Sequence, residues 1–450
     1  MSLIKPLVSI PQTSHSDPYT RPFAQPWRLL LLSALGPMFN GVLLFRMGSF
    51  EVTLPHLLLG VATVSVFVSS RRVNSRLAFI CVAMILIQVC HALISGFIVE
   101  SEWWKSFGQF VTYSTCFILL TGFKIDRNTS IRAASWTAKL GIFLGGISII
   151  QFILFTFDVP AYLPDTWRVS GVFDPFAATY RYGGFSPAMG LATEPSIQAL
   201  GLVTLLACLL YFGGIGSVSN RRVWILSVIT LLGAVVLSFS LTGIVLAGAL
   251  ILTSLLFLRV GRRLVLILFM IGIGLGIFGG GIVDPIRSRL LIASQGADNS
   301  TQIRVVAAFR LLFAPSSSFE TFLFGTGLGM EMRDMEVYQA IYSDVSLRSR
   351  EWDSIKIHNI FTAVRILTGW IGLLLYIILW WKVLRPLTKN FGLYTPLFAF
   401  VFISNFASGY YLTPYFWSMM ALMVALRRFP LRHKSKQTDR LTTAGQLNKT

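Results

Sequence analysis

Long apolar runs alternate with short polar stretches along most of this chain. Two of the cleanest runs are Leu77 to Val99 and Leu264 to Val283. A helix needs roughly 20 apolar residues to cross the hydrocarbon core of a bilayer. On that length scale the pattern predicts an all-α polytopic membrane protein of about twelve spans. They are residues 27–45, 53–70, 77–98, 107–123, 133–157, 193–213, 223–239, 242–258, 264–283, 359–381, 392–408 and 412–426. The stretch from Val223 to Leu258 is long enough for one kinked segment, but the Ser-, Thr- and Gly-rich Ser238–Gly243 divides it into a hairpin. Residues 27–426 then form a single membrane domain between a polar tail, 1–26, and a basic tail, 427–450. The first tail has no short apolar core followed by a small-residue cleavage site, so it is read as retained.

Composition agrees with that pattern. Hydrophobic residues make up 54% of the 450 and charged ones 13%, against about 25% charged in soluble domains. The net charge of +19 raises the question of nucleic acid, and its distribution argues against it. Basic residues fall in short clusters between spans, such as Arg71–Arg72–Arg76, Lys124–Arg127–Arg132 and Arg259–Arg262–Arg263. With the N-terminus inside and the spans alternating, 25 Lys/Arg and 3 Asp/Glu lie inside, against 13 and 16 outside. That is the positive-inside asymmetry of a membrane protein with both termini in the cytoplasm. Cys81, Cys90, Cys116 and Cys208 all lie in apolar runs, where neither a disulfide nor a metal site is expected.

Two external loops stand out, 158–193 and 284–357. Loops longer than about 15 residues are usually functional or disordered. Within the second, Ile303 to Phe313 is apolar with Arg304 and Arg310 interleaved, a pattern that predicts an amphipathic helix along the membrane surface. No internal repeat of the inverted-transporter kind is visible.

The ionisable residues gather at these loops. Arg181 lies in the first, Glu194 at the mouth of the sixth span, and His358 at the mouth of the tenth. Arg365 follows seven residues after His358, on the same helical face. An arginine inside an apolar helix costs at least about 2.5 kcal/mol and lines a cavity or pairs with an acid. A purely structural reading pairs Arg365 with Glu194. Guanidinium groups also match phosphate oxygens bidentately, although anionic lipid head groups are an equally basic-seeking partner. Gly325-Thr326-Gly327-Leu328-Gly329 has dinucleotide-like spacing but no preceding strand, and is read as a tight turn that lets backbone approach backbone.

Four segments, in order, resemble the O-antigen polymerase and ligase superfamily (Wzy-type polymerases and WaaL-type ligases). They are Arg181 to Ser196 with its Glu194-Pro195-Ser196, the hairpin Ser238 to Gly243, the stretch Ser300 to Gly329, and His358-Asn359 leading to Gly369-Trp370-Ile371-Gly372. Leu241 departs from the pattern, since many relatives carry an arginine there. The resemblance spans roughly residues 100–410. It implies a GT-C-like fold in a bacterial inner membrane with a periplasmic active site. It further implies an inverting glycosyltransferase without metal or cofactor, whose donor and acceptor are glycans on undecaprenyl diphosphate. His358 would be the general base with Glu194 as a second catalytic residue, and Arg181, Arg304, Arg310 and Arg365 would hold the diphosphate. A flippase and a chain-length regulator are the protein partners expected, and nucleic acid is not. The Glu-Pro-Ser element is closer to polysaccharide polymerases than to ligases. A transporter of lipid-linked sugar is the alternative from another class, and it would distribute ionisable groups through the membrane depth.

Overall fold

The computed structural model describes residues 25–47, 50–70, 72–123, 125, 127–161, 167, 169, 186–214, 218, 220–257, 287, 291, 308–330, 359–388, 397 and 413–426. These residues are mostly helical. The expected spans at 264–283 and 392–408 lie outside them, apart from Leu397.

The chain enters α1 (Pro26–Ala34) on a proline at its first position, where the missing N–H is no loss. The expected continuous span over 27–45 is corrected here. After Leu35 the backbone tightens into a 3-10 turn, Gly36–Phe39, around Pro37. It then forms an antiparallel hairpin, β1 (Leu43–Met47) and β2 (Phe50–Thr53), so the fold is not purely α. Pro37 cannot donate a helical hydrogen bond, and Asn40 spends its side chain on the segment before the sixth expected span. Arg46 and Glu51 face each other across the hairpin, 3.1 Å apart.

From there the helices follow the hydropathy pattern: α2 (Leu54–Ser70), α3 (Ser75–Ile94), α4 (Ser101–Leu120), α5 (Arg127–Thr156) and α6 (Pro195–Gly214). The hairpin expected at Ser238–Gly243 is present between α7 (Arg221–Leu237) and α8 (Leu241–Phe257). Phe239 turns the chain in the left-handed region, φ 48°, and the Ser240 hydroxyl accepts from Gly243 N–H to cap α8. Two short helices, α9 (Ala308–Leu312) and α10 (Phe319–Phe324), precede α11 (Ile360–Thr388) and α12 (Pro414–Leu426).

Among the described residues, four helices are long and apolar enough to cross a membrane: Ser75–Ile94, Asn128–Thr156, Pro195–Gly214 and Ile360–Pro386. Shorter apolar helices over Leu54–Ser69, Leu241–Leu256 and Pro414–Leu426 accompany them. α6 runs through the middle, with Leu202 to Phe212 buried on all sides, packed by α5, α7 and α8. A helix apolar all round is a core or membrane helix. Peripheral helices turn large apolar side chains outward, among them Phe79 and Leu86 on α3, Phe143 and Ile150 on α5, and Leu252 and Leu256 on α8. In water such a belt would aggregate; in lipid it is the natural exterior. The chain is a mostly helical, membrane-embedded protein.

A second packing centre sits where α4, α11 and α12 meet. Trp417 contacts Phe110 and Phe117, and Phe416 contacts Tyr376 and Trp380. The first and last described helices are neighbours as well. Ser33 on α1 is hydrogen-bonded to Ser418 on α12, and Trp27, Leu30 and Ala34 are buried at α1.

Candidate functional site

α11 opens on Asn359, whose side-chain oxygen accepts from Thr362 N–H at 3.2 Å. The cap fixes the entry of the chain directly after His358. Thr362 then donates its hydroxyl to the Ala308 carbonyl at 2.8 Å, tying α11 to α9. One turn further, Arg365 is 5% exposed, and its Nη2 donates to the Ala314 carbonyl at 2.6 Å and the Ser316 hydroxyl at 2.9 Å. The guanidinium therefore organises the segment between α9 and α10. On α9 itself Ala308 and Leu311 are buried while Phe309 and Arg310 are exposed. The first part of the expected amphipathic stretch, 303–307 with Arg304, lies outside the described residues.

The expected tenth span is not continuous. At Gly369 the backbone leaves the helix, with φ 67° and ψ −170°, a region open essentially to glycine alone. Breaking a helix strands carbonyls in an apolar setting, and each needs a donor. The glycine turn supplies them. Thr326 N–H donates to the Ile366 carbonyl at 2.7 Å and Gly327 N–H to the Leu367 carbonyl at 3.2 Å. The Thr326 hydroxyl adds a 3.2 Å bond to the Ile366 carbonyl. A Cβ at Gly369 would lie 2.1 Å from the Leu323 oxygen, and one at Gly325 2.5 Å from the Ile366 oxygen. Backbone meets backbone here, as the sequence reading of the turn expected. The far end of the turn rests on α4, where a Cβ at Gly329 would meet the Glu102 oxygen at 2.6 Å.

Beside the turn lies a group that the sequence reading passed over. His91, buried on α3, stacks on Phe324 and meets Phe97 edge-on. Its Nε2 is 3.4 Å from Glu320, which also accepts from Ser95. A histidine within an apolar run signals a polar partner, and that was the available clue.

Glu194 belongs to a different part of the molecule. It precedes α6, where its carbonyl accepts from Ile197 and Gln198 N–H and its carboxylate from the Ser196 hydroxyl at 3.2 Å. The approach to it is a polar knot. Gln151 of α5 accepts from Met189 and Gly190 N–H at 2.8 and 2.7 Å, and donates to the Gly190 and Ala161 carbonyls. Asn40 pairs both ways with Thr193, at 3.0 and 3.1 Å. Gln198 donates to Ser148. A glutamine in the last two turns of an otherwise apolar helix was the sequence signal for this knot. The pairing of Arg365 with Glu194 is corrected by these contacts: α6 packs on α5, α7 and α8, while α11 packs on α3, α9, α10 and α12. The Glu194 carboxylate is used on the Ser196 hydroxyl and the Arg365 guanidinium on the α9–α10 segment. Of the expected site residues, Arg310 and Arg365 share one corner, Glu194 stands in the other, and His358, Arg181 and Arg304 lie outside the described residues.

Compared with known proteins, the chain matches no family model and no curated sequence.

Proposed function

We propose that this chain is a polytopic membrane glycosyltransferase that polymerises oligosaccharides carried on undecaprenyl diphosphate. In this reading it has twelve spans, both termini are cytoplasmic and the site faces the periplasm of a bacterial inner membrane. The observation that carries the proposal is the interrupted α11, with Arg365 in its first half and the glycine turn closing its break. Broken helices at membrane sites bring helix ends and cations to ligands that a continuous helix cannot reach. With Arg310 on the adjoining α9, this corner offers fixed positive charge where a diphosphate leaving group gains negative charge. Arg304 and Arg181 would add to that clamp. His358, directly before the Asn359 cap, would take the proton from the acceptor hydroxyl as it displaces the diphosphate.

The test is to incubate purified protein with lipid-linked repeat units and resolve the products. A ladder of longer glycans on the lipid carrier is expected, and none with His358→Ala. General-base assistance is typically worth about 100- to 10,000-fold, so near-normal activity of that variant would remove His358 from the mechanism. Transfer to lipid A core without a ladder would make the protein a ligase. Relocation of unaltered substrate would make it a transporter.

A further inference from the structure

The first turns of α2 and the face of α4 from Ser101 to Cys116 leave a space open between them. Between them lies a cavity of about 610 Å³, within the range of small-ligand sites. One wall is a polar stripe on α4: Ser101, Lys105, Gln109 and Thr112, ending at Cys116. Their spacing of three and four places them on one helical face. The stripe extends for about 22 Å at 1.5 Å per residue. α4 has 20 residues, yet it is not among the four helices apolar enough to cross a membrane. Left against lipid, these side chains would lack partners, which is costly. The cavity is what they face.

Glycines on both walls keep it open. Gly60 and Gly108 line it, and among the described residues no atom lies within 4 Å of where either Cβ would stand. Glycine inside a helix costs roughly 0.5–1 kcal/mol relative to alanine, and neither of these two is required by a close neighbour. At the mouth, Glu102 and Lys105 pair at 3.7 Å, so the lining has no excess of either sign. The His56 Nδ1 lies 3.1 Å from Thr53 N and 2.8 Å from the Thr53 hydroxyl.

We infer that this groove binds the uncharged glycan of the acceptor, an inference that rests on the polymerase reading above. A diphosphate would call for unopposed cations, and an acyl chain would leave the hydroxyls and the amide of α4 without partners. Hydroxyls and an amide, each both donor and acceptor, suit a chain of sugar hydroxyls. The placement fits too. The glycine turn touches the Glu102 end of the groove through Gly329 and the break in α11 through Gly325, so one rigid element joins the glycan groove to the arginine corner.

The test uses the full-length protein in lipid nanodiscs. Maltotriose, cellotriose and chitotriose are the probes, read by saturation-transfer NMR, with inorganic diphosphate as the charged control. Gly108→Leu fills the groove from a helical position with free space, and is expected to weaken trisaccharide binding about tenfold or more at an unchanged unfolding midpoint. Gln109→Leu, which removes hydrogen bonds without adding bulk, should act in the same direction and serves if Gly108→Leu does not fold. No binding of any trisaccharide, or binding indifferent to both variants, overturns the assignment. So does loss of diphosphate binding in Gly108→Leu, or a co-purified phospholipid displaced by it. The glycan ladder of the polymerisation assay is scored separately. Trisaccharide binding without a ladder removes the polymerase reading and leaves a sugar site; a ladder indifferent to Gly108→Leu removes the groove alone.

Discussion

Gly369→Ala attacks the break in α11 at the atom where it is tightest. The new methyl would stand 2.1 Å from the Leu323 oxygen and 2.4 Å from the Phe324 nitrogen, so the glycine turn must move or the backbone must leave φ 67°. Holding a non-glycine residue in such a conformation costs about 1–3 kcal/mol. If the helix instead heals through residue 369, the carbonyls of Ile366 and Leu367 return to helical partners and the turn loses two backbone hydrogen bonds. At about 0.5–1.5 kcal/mol each, the second route also costs about 1–3 kcal/mol, so the loss is about 1–3 kcal/mol whichever is taken. The control is Gly248→Ala in α8, where among the described residues nothing lies within 4 Å of the Cβ position. There the same change should stabilise by about 0.5–1 kcal/mol. Denaturant unfolding in detergent gives both signs, and hydrogen exchange at the Thr326 and Gly327 amides reports the turn directly. Wild-type stability together with wild-type protection of those two amides in Gly369→Ala would refute the account of the break.

Other perturbations separate the two polar corners. Arg365→Lys keeps the charge but replaces the planar guanidinium, whose Nη2 donates to both the Ala314 carbonyl and the Ser316 hydroxyl, with a point charge that has no bidentate fork. Glycan polymerisation should therefore fall about tenfold or more, with protein level unchanged, and full activity would make the guanidinium dispensable. Gln151→Leu strips two donors and two acceptors of the Ala161–Gly190 segment and should lower unfolding stability by about 2–4 kcal/mol. A loss under about 1 kcal/mol would mean that water replaces the side chain. Single cysteines at Ser217 and Ser316, in a background without the native cysteines, should label from opposite faces with an impermeant thiol reagent. Labelling from the same face would break the twelve-span topology.

Much of the helical layout was legible because bilayer length and apolar runs are a strong joint constraint. α3, α5 and α6 fall where hydropathy put them, and the α7–α8 hairpin falls at its Ser/Thr/Gly cluster. What misled was apolarity without helix: 27–45 reads as a span, yet Pro37 and the Asn40–Thr193 pairing turn its second half into a 3-10 turn and a strand. Hydropathy likewise sees no difference between a continuous and a broken helix. The break at Gly369 depends on a turn some forty residues earlier, and no local pattern encodes that partner. The site was legible residue by residue but not in its pairings. Charge complementarity joined Arg365 to Glu194, whereas the folded chain turns the arginine toward the Ala314 carbonyl and the Ser316 hydroxyl on another element. Neutral polar residues such as Gln151 and Asn40 carry the second corner, and a search for charge passes over them.

The contact between α1 and α12 has a consequence for how the protein is made. Ser33 and Ser418 are 385 positions apart, so the first described helix packs against the last described one. Until residues 414–426 are synthesised, the α12 side of α1, which ends where Gly36 meets the Tyr415 Cβ position, has no protein partner there. Such late, non-local closure is slow and leaves interim surface for chaperones or membrane proteases to recognise. A stop codon or a fusion that disturbs α12 should therefore be felt at the opposite end of the chain, as a nascent protein whose α1 has, among the described α-helices, only α2 to pack against.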